Sequence, residues 1–216
     1  MFTAVADPID SGFVRSLARP GGNVTGLASS VSEGLFGKQL ELALEAVPSA
    51  KRVGILFNAG NPRNYFTQFA QQWTQAAEAL KLELRRMDMR KQEDLDAIFR
   101  MAHQGQVDLV ILVGDPLIFQ YRMRVYDLAE GYRIPTIPPT KEYLAGRGLL
   151  SYGPNLTEMN SRAAVYVDRI LKGAKPAELP VEQPSQYELV INLKAAKALG
   201  LTIPQSLLLR ADQVLE

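Results

Sequence analysis

A parallel α/β sheet with helices on both faces is the fold that this 216-residue sequence predicts. Three observations predict it. Short β-rich apolar runs alternate with longer helical patterns through residues 35–152. The run Val107 to Val113 (VDLVILV) is almost continuously apolar, as a strand covered on both faces must be. Turn-forming Asn, Asp, Gly and Pro punctuate the two kinds of segment. An order β-α-β-α-β-α-β gives a parallel sheet, because each helix carries the chain back before the next strand starts.

The elements follow in order. Leu35 to Ala46 reads as a helix with Leu35, Leu40, Leu42 and Leu44 on a largely buried face, and Pro48 stops it. Arg52 to Phe57 is a compact strand. Asn58-Ala-Gly-Asn-Pro62 is a turn, and Pro62 suits the first turn of a helix running to about Leu80. Phe66, Phe69, Trp73, Ala76, Ala77 and Leu80 set that helix's inward face at i, i+3, i+4 spacing. Leu82 to Met87 is a strand and Glu93 to Gln104 a helix, with Leu95, Ile98, Phe99 and Ala102 inward. Gly114-Asp115-Pro116 turns the chain from the apolar strand into a helix over Leu117 to Gly131. A short strand (Ile134 to Ile137), a short helix (Lys141 to Ala145) and a strand (Gly148 to Tyr152) complete this part.

Two pieces lie outside it. Residues 2–29 read as a strand (Phe2 to Ala6), a helix (about Ser11 to Ala18), the turn Arg19 to Asn23 and a strand (Val24 to Ala28). Residues 155–216 read as a helix (about Met159 to Lys172), an extended Pro-rich stretch over 176–191, and a helical pattern from Asn192 to Gly200.

Composition removes several function classes. Hydrophobic residues make up 47% of the chain, enough to offset chain entropy, so it is globular. The 24 basic and 23 acidic residues leave a net charge of +1, too little field to grip a nucleic-acid backbone. With no cysteine there is no disulfide framework, thiolate nucleophile or cysteine metal site. The longest apolar stretch, Leu109 to Val113, falls far short of the ~20 residues that span a bilayer. Gly21-Gly22-Asn23 precedes a strand and does not match GxGxxG. GxxxxGK[ST], HExxH and GxSxG do not occur. The single histidine, His103, falls late in a helix, where a solvated or dipole role suffices. No cofactor and no metal is expected.

In open parallel sheets ligands bind beyond the carboxyl ends of the strands. The residues just after each strand are Asp7 and Pro8, Asn58 and Asn61, Asp115 and Pro116, Thr140, and Tyr152, Gly153 and Asn155. That set is rich in hydrogen-bonding groups and poor in catalytic bases. A carboxylate such as Asp115 pairs well with an ammonium group, helix N-termini after Asn58–Asn61 and Asp115 receive a carboxylate, and Tyr152 packs on an apolar or aromatic moiety. Asp7, Asn61 and Asp115 are also good helix caps, a role that needs no ligand.

A pattern across the chain carries a resemblance. Val5-Ala-Asp-Pro8, Ser16-Leu-Ala-Arg-Pro-Gly-Gly-Asn-Val-Thr-Gly26 and Lys38 to Pro48 (KQLELALEAVP) contribute to it. So do Ser151-Tyr-Gly-Pro154, Ala163 to Pro176, Leu179 to Pro184, and the ending Val190 to Pro204 (VINLKAAKALGLTIP). Together they resemble the ABC transporter substrate-binding proteins of the type that binds aromatic amino acids. The resemblance implies a periplasmic-binding-protein-like fold of two α/β lobes around a cleft, a periplasmic or exported location, and delivery of a small solute to a membrane permease. By position, residues 1–32 and 153–185 would be a remnant of the first lobe. Residues 33–152 and 186–216 would form the second. The ligand contacts it implies are Ala6, Asp7, Pro8, Asn58, Asn61, Asp115, Ser151 and Tyr152, with no catalysis.

Against that family pattern, the sequence starts without an export signal and without three βα units of the first lobe. The expectation is therefore one complete lobe plus an incomplete one, with a truncated chain favoured over a genuinely short homologue or a chain that repairs the gap by dimerising, and with self-association as the physical consequence of exposed apolar faces. Two alternatives stand beside transport: a ligand-sensing or structural dimer, and an enzyme using Asp115 or Asp7.

Overall fold

The computed structural model describes residues 1–5, 7–29, 34–61, 66 and 69–216. The elements in chain order are strands β1 (Phe2–Val5) and β2 (Gly26–Ala28), helix α1 (Leu35–Ala46), β3 (Arg52–Asn58), α2 (Ala70–Ala79), β4 (Glu83–Met89), α3 (Asp94–Gln104) and β5 (Leu109–Leu112). Then come α4 (Pro116–Gly131), β6 (Thr136–Ile137), α5 (Lys141–Leu144), β7 (Leu150–Pro154), α6 (Leu156–Leu171), β8 (Tyr187–Asn192), α7 (Leu193–Leu199), α8 (Gln205–Leu208) and β9 (Gln213–Leu215). The described chain divides into two compact units. The smaller holds 1–33 and 154–187, and the larger holds 34–153 and 188–216.

In the larger unit β4, β3, β5 and β6 lie side by side in that order, all parallel. The sheet is right for the sequence because its central strands are apolar on both sides. Val53, Gly54, Ile55, Leu56 and Phe57 of β3 are all buried, as is every residue of β5. Leu56, Val110 and Leu112 pack with Leu95 and Phe99 of α3 and with Ile118, Val125 and Tyr126 of α4. Phe57 stacks on Phe66 at 4.7 Å, and Phe36 of α1 meets Trp73 of α2 at 4.3 Å. Burying a side chain such as Trp73 or Phe99 stabilises by roughly 1.5–3 kcal/mol, which compensates its lost rotamer freedom. The helix expected from Pro62 is described over Ala70–Ala79. Pro62 and its three following neighbours lie outside the described residues.

The Leu149 N–H donates to the Thr136 carbonyl at 2.9 Å, and the Asn192 N–H to the Leu149 carbonyl at 2.9 Å. These bonds link the four-stranded sheet to a second one of order β7-β8-β9. Asn192 caps α7 through its side chain, and β9 pairs in parallel with β8. Arg147 is held by Glu130 and Asp127, and its hydrogen bond to Glu130 chiefly raises its pKa further above the ordinary value.

In the smaller unit β1 and β2 are parallel, and a bridge from Leu27 to Glu182 extends them. Leu27 packs on Met159 and Ala163 of α6, while Val14, Ala28 and Val181 form a second small cluster. A Cβ on Gly26 would fall 2.0 Å from the Phe2 carbonyl oxygen, so only glycine allows this pairing. Thr25 donates to the Leu179 carbonyl at 2.7 Å, and Tyr166 to that of Pro180 at 2.6 Å. Arg162 grips Glu182 with two bonds and, as the main cause, holds its carboxyl below the usual range. The expected helix over Ser11 to Ala18 is absent. Residues 8–12 form turns instead, closed by Ser11 N–H to the Asp7 carbonyl and by Phe13 and Val14 N–H to the Pro8 carbonyl.

Candidate functional site

Strand order places the site. From β3 the chain crosses one way to β4, then back past β3 to β5, so the topology reverses between β3 and β5. Adjacent connections run off to opposite faces there and leave a crevice beyond the strand ends. Asn58 is the last residue of β3, Asn61 follows in the turn, and Asp115 follows β5. Their side chains meet. Asn58 Nδ2 donates to Asp115 Oδ1 at 3.1 Å, and Asn61 Nδ2 donates to Asp115 Oδ2 at 3.0 Å. Asn58 Oδ1 meanwhile accepts from the Gly60 N–H at 2.9 Å, which fixes the turn that presents Asn61.

Asp115 is also the N-cap of α4. Its backbone is extended (φ −157°, ψ 140°), Pro116 opens the helix, and Oδ1 accepts from the Leu117 N–H at 2.8 Å. The cap and the inter-strand contact are thus one arrangement, not rivals. The residue is 3% exposed. Three neutral donors and the helix dipole face its carboxylate, and no ion pair among the described residues involves it. A carboxylate has about four acceptor positions, so among the described residues one remains, on Oδ2.

Tyr143 of α5, which is not among the residues expected from the sequence, completes the arrangement. Its hydroxyl accepts from the Asp115 N–H at 3.0 Å and donates to the Asp115 carbonyl at 3.1 Å. Its ring meets Phe119 of α4 edge-on at 4.9 Å. Tyr126 donates its hydroxyl to the Tyr143 carbonyl at 2.7 Å, and burial pushes that phenol well above its ordinary pKa, so it stays a donor. Arg122 lies over the Phe119 ring at 4.0 Å. The only trace of Tyr143 in the sequence is that it falls shortly after a strand end, beside Thr140.

Ser151 and Tyr152 stand on β7. The Ser151 side chain is fully buried, and its Oγ has no hydrogen-bond partner among the described residues; the same holds for Thr140 Oγ1. Gln39 donates to the Tyr152 carbonyl at 2.8 Å. Asp7 and Pro8 belong to the smaller unit, where Asp7 Oδ1 accepts from the Ile9 and Asp10 N–H groups at 2.9 and 3.0 Å. Ala6 lies outside the described residues. The hydrogen bonds therefore bring together Asn58, Asn61 and Asp115. His103 is exposed in the last turn of α3. Among the described residues no three His, Cys, Asp or Glu side chains converge as for a metal ion. The cluster can receive a cation by hydrogen bonding to the carboxylate.

The family model for "ABC transporter substrate binding protein" matches residues 1–215. A tyrosine-binding protein of Clostridioides difficile is 26% identical over 202 residues, which are 93% of this chain and 56% of that protein. The chain thus spans little more than half of that relative's length. A Streptococcus pneumoniae ABC domain solved in complex with L-Trp superposes with a TM-score of 0.88 at 28% identity, over 99% of this chain and 72% of the other. A conserved domain protein of Vibrio cholerae gives 0.89 at 27% identity, over 99% and 70%.

Proposed function

This chain belongs to the ABC transporter substrate-binding proteins, and from that premise we propose that it is the solute-binding component of an ABC-type importer. The reading has it bind an amino acid or aromatic acid without transforming it and present it to a membrane permease, in a periplasmic or exported location. The observation that carries it is the buried Asp115 carboxylate at the strand-order reversal, bonded by Asn58 and Asn61 with no cationic partner among the described residues. A buried anion is costly until paired. An α-ammonium group arriving at Oδ2 would supply the charge and fill the last acceptor position. The tyrosine and L-Trp of the relatives both carry such a group. Asn58, Asn61 and Asp115 are the ligand residues favoured most; the buried hydroxyl of Ser151 and the ring of Tyr152 are the next candidates. Among the described residues the hydrogen-bond partners of the Asp115 carboxylate are two amides and a backbone N–H, a set suited to binding more than to catalysis.

Melting curves test the reading. L-tyrosine or L-tryptophan at 100 times its dissociation constant is expected to add ~2.7 kcal/mol of stability. A panel of amino acids and aromatic acids that leaves the melting point of the folded protein unmoved would overturn it.

Self-association is proposed for the smaller unit. Ile9, Phe13, Val165, Val167 and Leu171 are exposed on it, apolar side chains that a second copy could cover. Sedimentation equilibrium is expected to find a dimer at micromolar concentration, and a monomer there would refute it.

A further inference from the structure

We infer that Tyr143 is the positioning residue of the Asp115 site; the inference rests on reading Asp115 as the group that meets the ligand. In an extended residue the N–H and C=O of the same unit point to one side, so a single hydroxyl can serve both. Tyr143 does this for Asp115, at 3.0 and 3.1 Å. The Asp115 carbonyl also accepts from the Phe119 N–H at 2.9 Å, the first bond of α4. The hydroxyl therefore holds residue 115 extended while the helix starts. In that conformation the side chain reaches the Leu117 N–H and both asparagine amides at once.

Tyr143 is itself over-determined. Tyr126 holds its carbonyl, the Thr140 carbonyl accepts its N–H at 3.1 Å, and its ring packs on Phe119. A chain of bonds thus runs from a buried phenol on α4, through α5, to the backbone of the carboxylate residue. Its effect is preorganisation. The anion waits in the geometry the ligand needs, and none of the binding energy goes into ordering it.

Tyr143→Phe tests this in the full chain. The substitution keeps the ring and removes only the hydroxyl. Amide hydrogen exchange is expected to rise tenfold or more at Asp115 and several-fold at Leu117, with Ile111 in β5 unchanged. The dissociation constants for L-tyrosine and L-tryptophan are expected to rise five- to twentyfold. Tyr126→Phe, one bond further out, should move the same amides by less, and serves if Tyr143→Phe does not fold. Unchanged protection at Asp115 and Leu117 would overturn the local claim. Faster exchange with unchanged affinity would overturn the positioning role. If the unmodified protein binds neither amino acid, the ligand reading above falls, while the exchange result still decides what Tyr143 does to Asp115.

Discussion

Asp115→Asn is expected to weaken binding of L-tyrosine or L-tryptophan at least a hundredfold, while costing no more than ~2 kcal/mol of stability. The asymmetry follows from the bonds. If the new amide keeps its oxygen toward the Leu117 N–H and Asn58, its nitrogen faces Asn61 Nδ2, donor against donor. If it flips, the helix cap and the Asn58 bond are lost instead. Either way one or two hydrogen bonds to the carboxylate go, at about 1.5 kcal/mol each or somewhat more, and removal of a buried, unpaired charge offsets a large part of that. The ligand fares worse. It loses a charge-assisted bond, of about 1.5–3 kcal/mol, and meets an amide N–H where it needs an acceptor. A hundredfold change corresponds to about 2.7 kcal/mol. Isothermal calorimetry beside thermal unfolding separates the two quantities. Retained affinity in a folded Asp115→Asn protein would remove the carboxylate from the site.

The sequence made the larger unit legible because its elements are fixed by strong local signals. Leu35–Ala46 ends where Pro48 forbids further helix, and β5 is too apolar to be anything but a covered strand. Asn58, Asn61 and Asp115 could be nominated from position alone, because strand ends in a parallel sheet are where chains turn toward a ligand. Their mutual bonding depends on strand order, which no local pattern encodes. The failures are of two kinds. Ser11 to Ala18 reads as a helix, but the Val14 N–H, which a helix would turn on Asp10, goes to the Pro8 carbonyl, the Arg15 N–H goes to that of Pro20, and Gly12 turns at φ +74°. Tyr143 was hidden because its partner lies 28 residues away and it sits in a helix of four residues. β9 is three residues long and takes its stability from pairing with Val190 to Asn192. Tertiary contact decides such segments, and propensity does not.

The largest loss of stability is expected at a residue with no side chain. Gly153 lies in β7, buried, where the strand passes the segment leading into α5. A Cβ there would fall 1.8 Å from the Pro139 carbonyl oxygen, 3.0 Å from its carbon and 3.2 Å from Thr140 Cγ2. The first two are backbone atoms, so no rotamer change relieves the clash. The strand or the 139–140 segment must move. Gly153→Ala is therefore expected to cost ~3 kcal/mol or more, the upper end for overpacking, and to lower the melting temperature by about 6–12 °C. The displacement has a second consequence. Thr140 is the N-cap residue of α5 and accepts the Tyr143 N–H, so pushing on Pro139 shifts the hydroxyl that holds Asp115. Amino-acid affinity is expected to fall along with stability, although Gly153 has no side chain of its own to offer a ligand. Thermal unfolding and calorimetry on the one variant check both. A melting point within 2 °C of the parent would mean that the backbone gives way at little cost. A destabilised protein with parental affinity would break the link from β7 through α5 to the site.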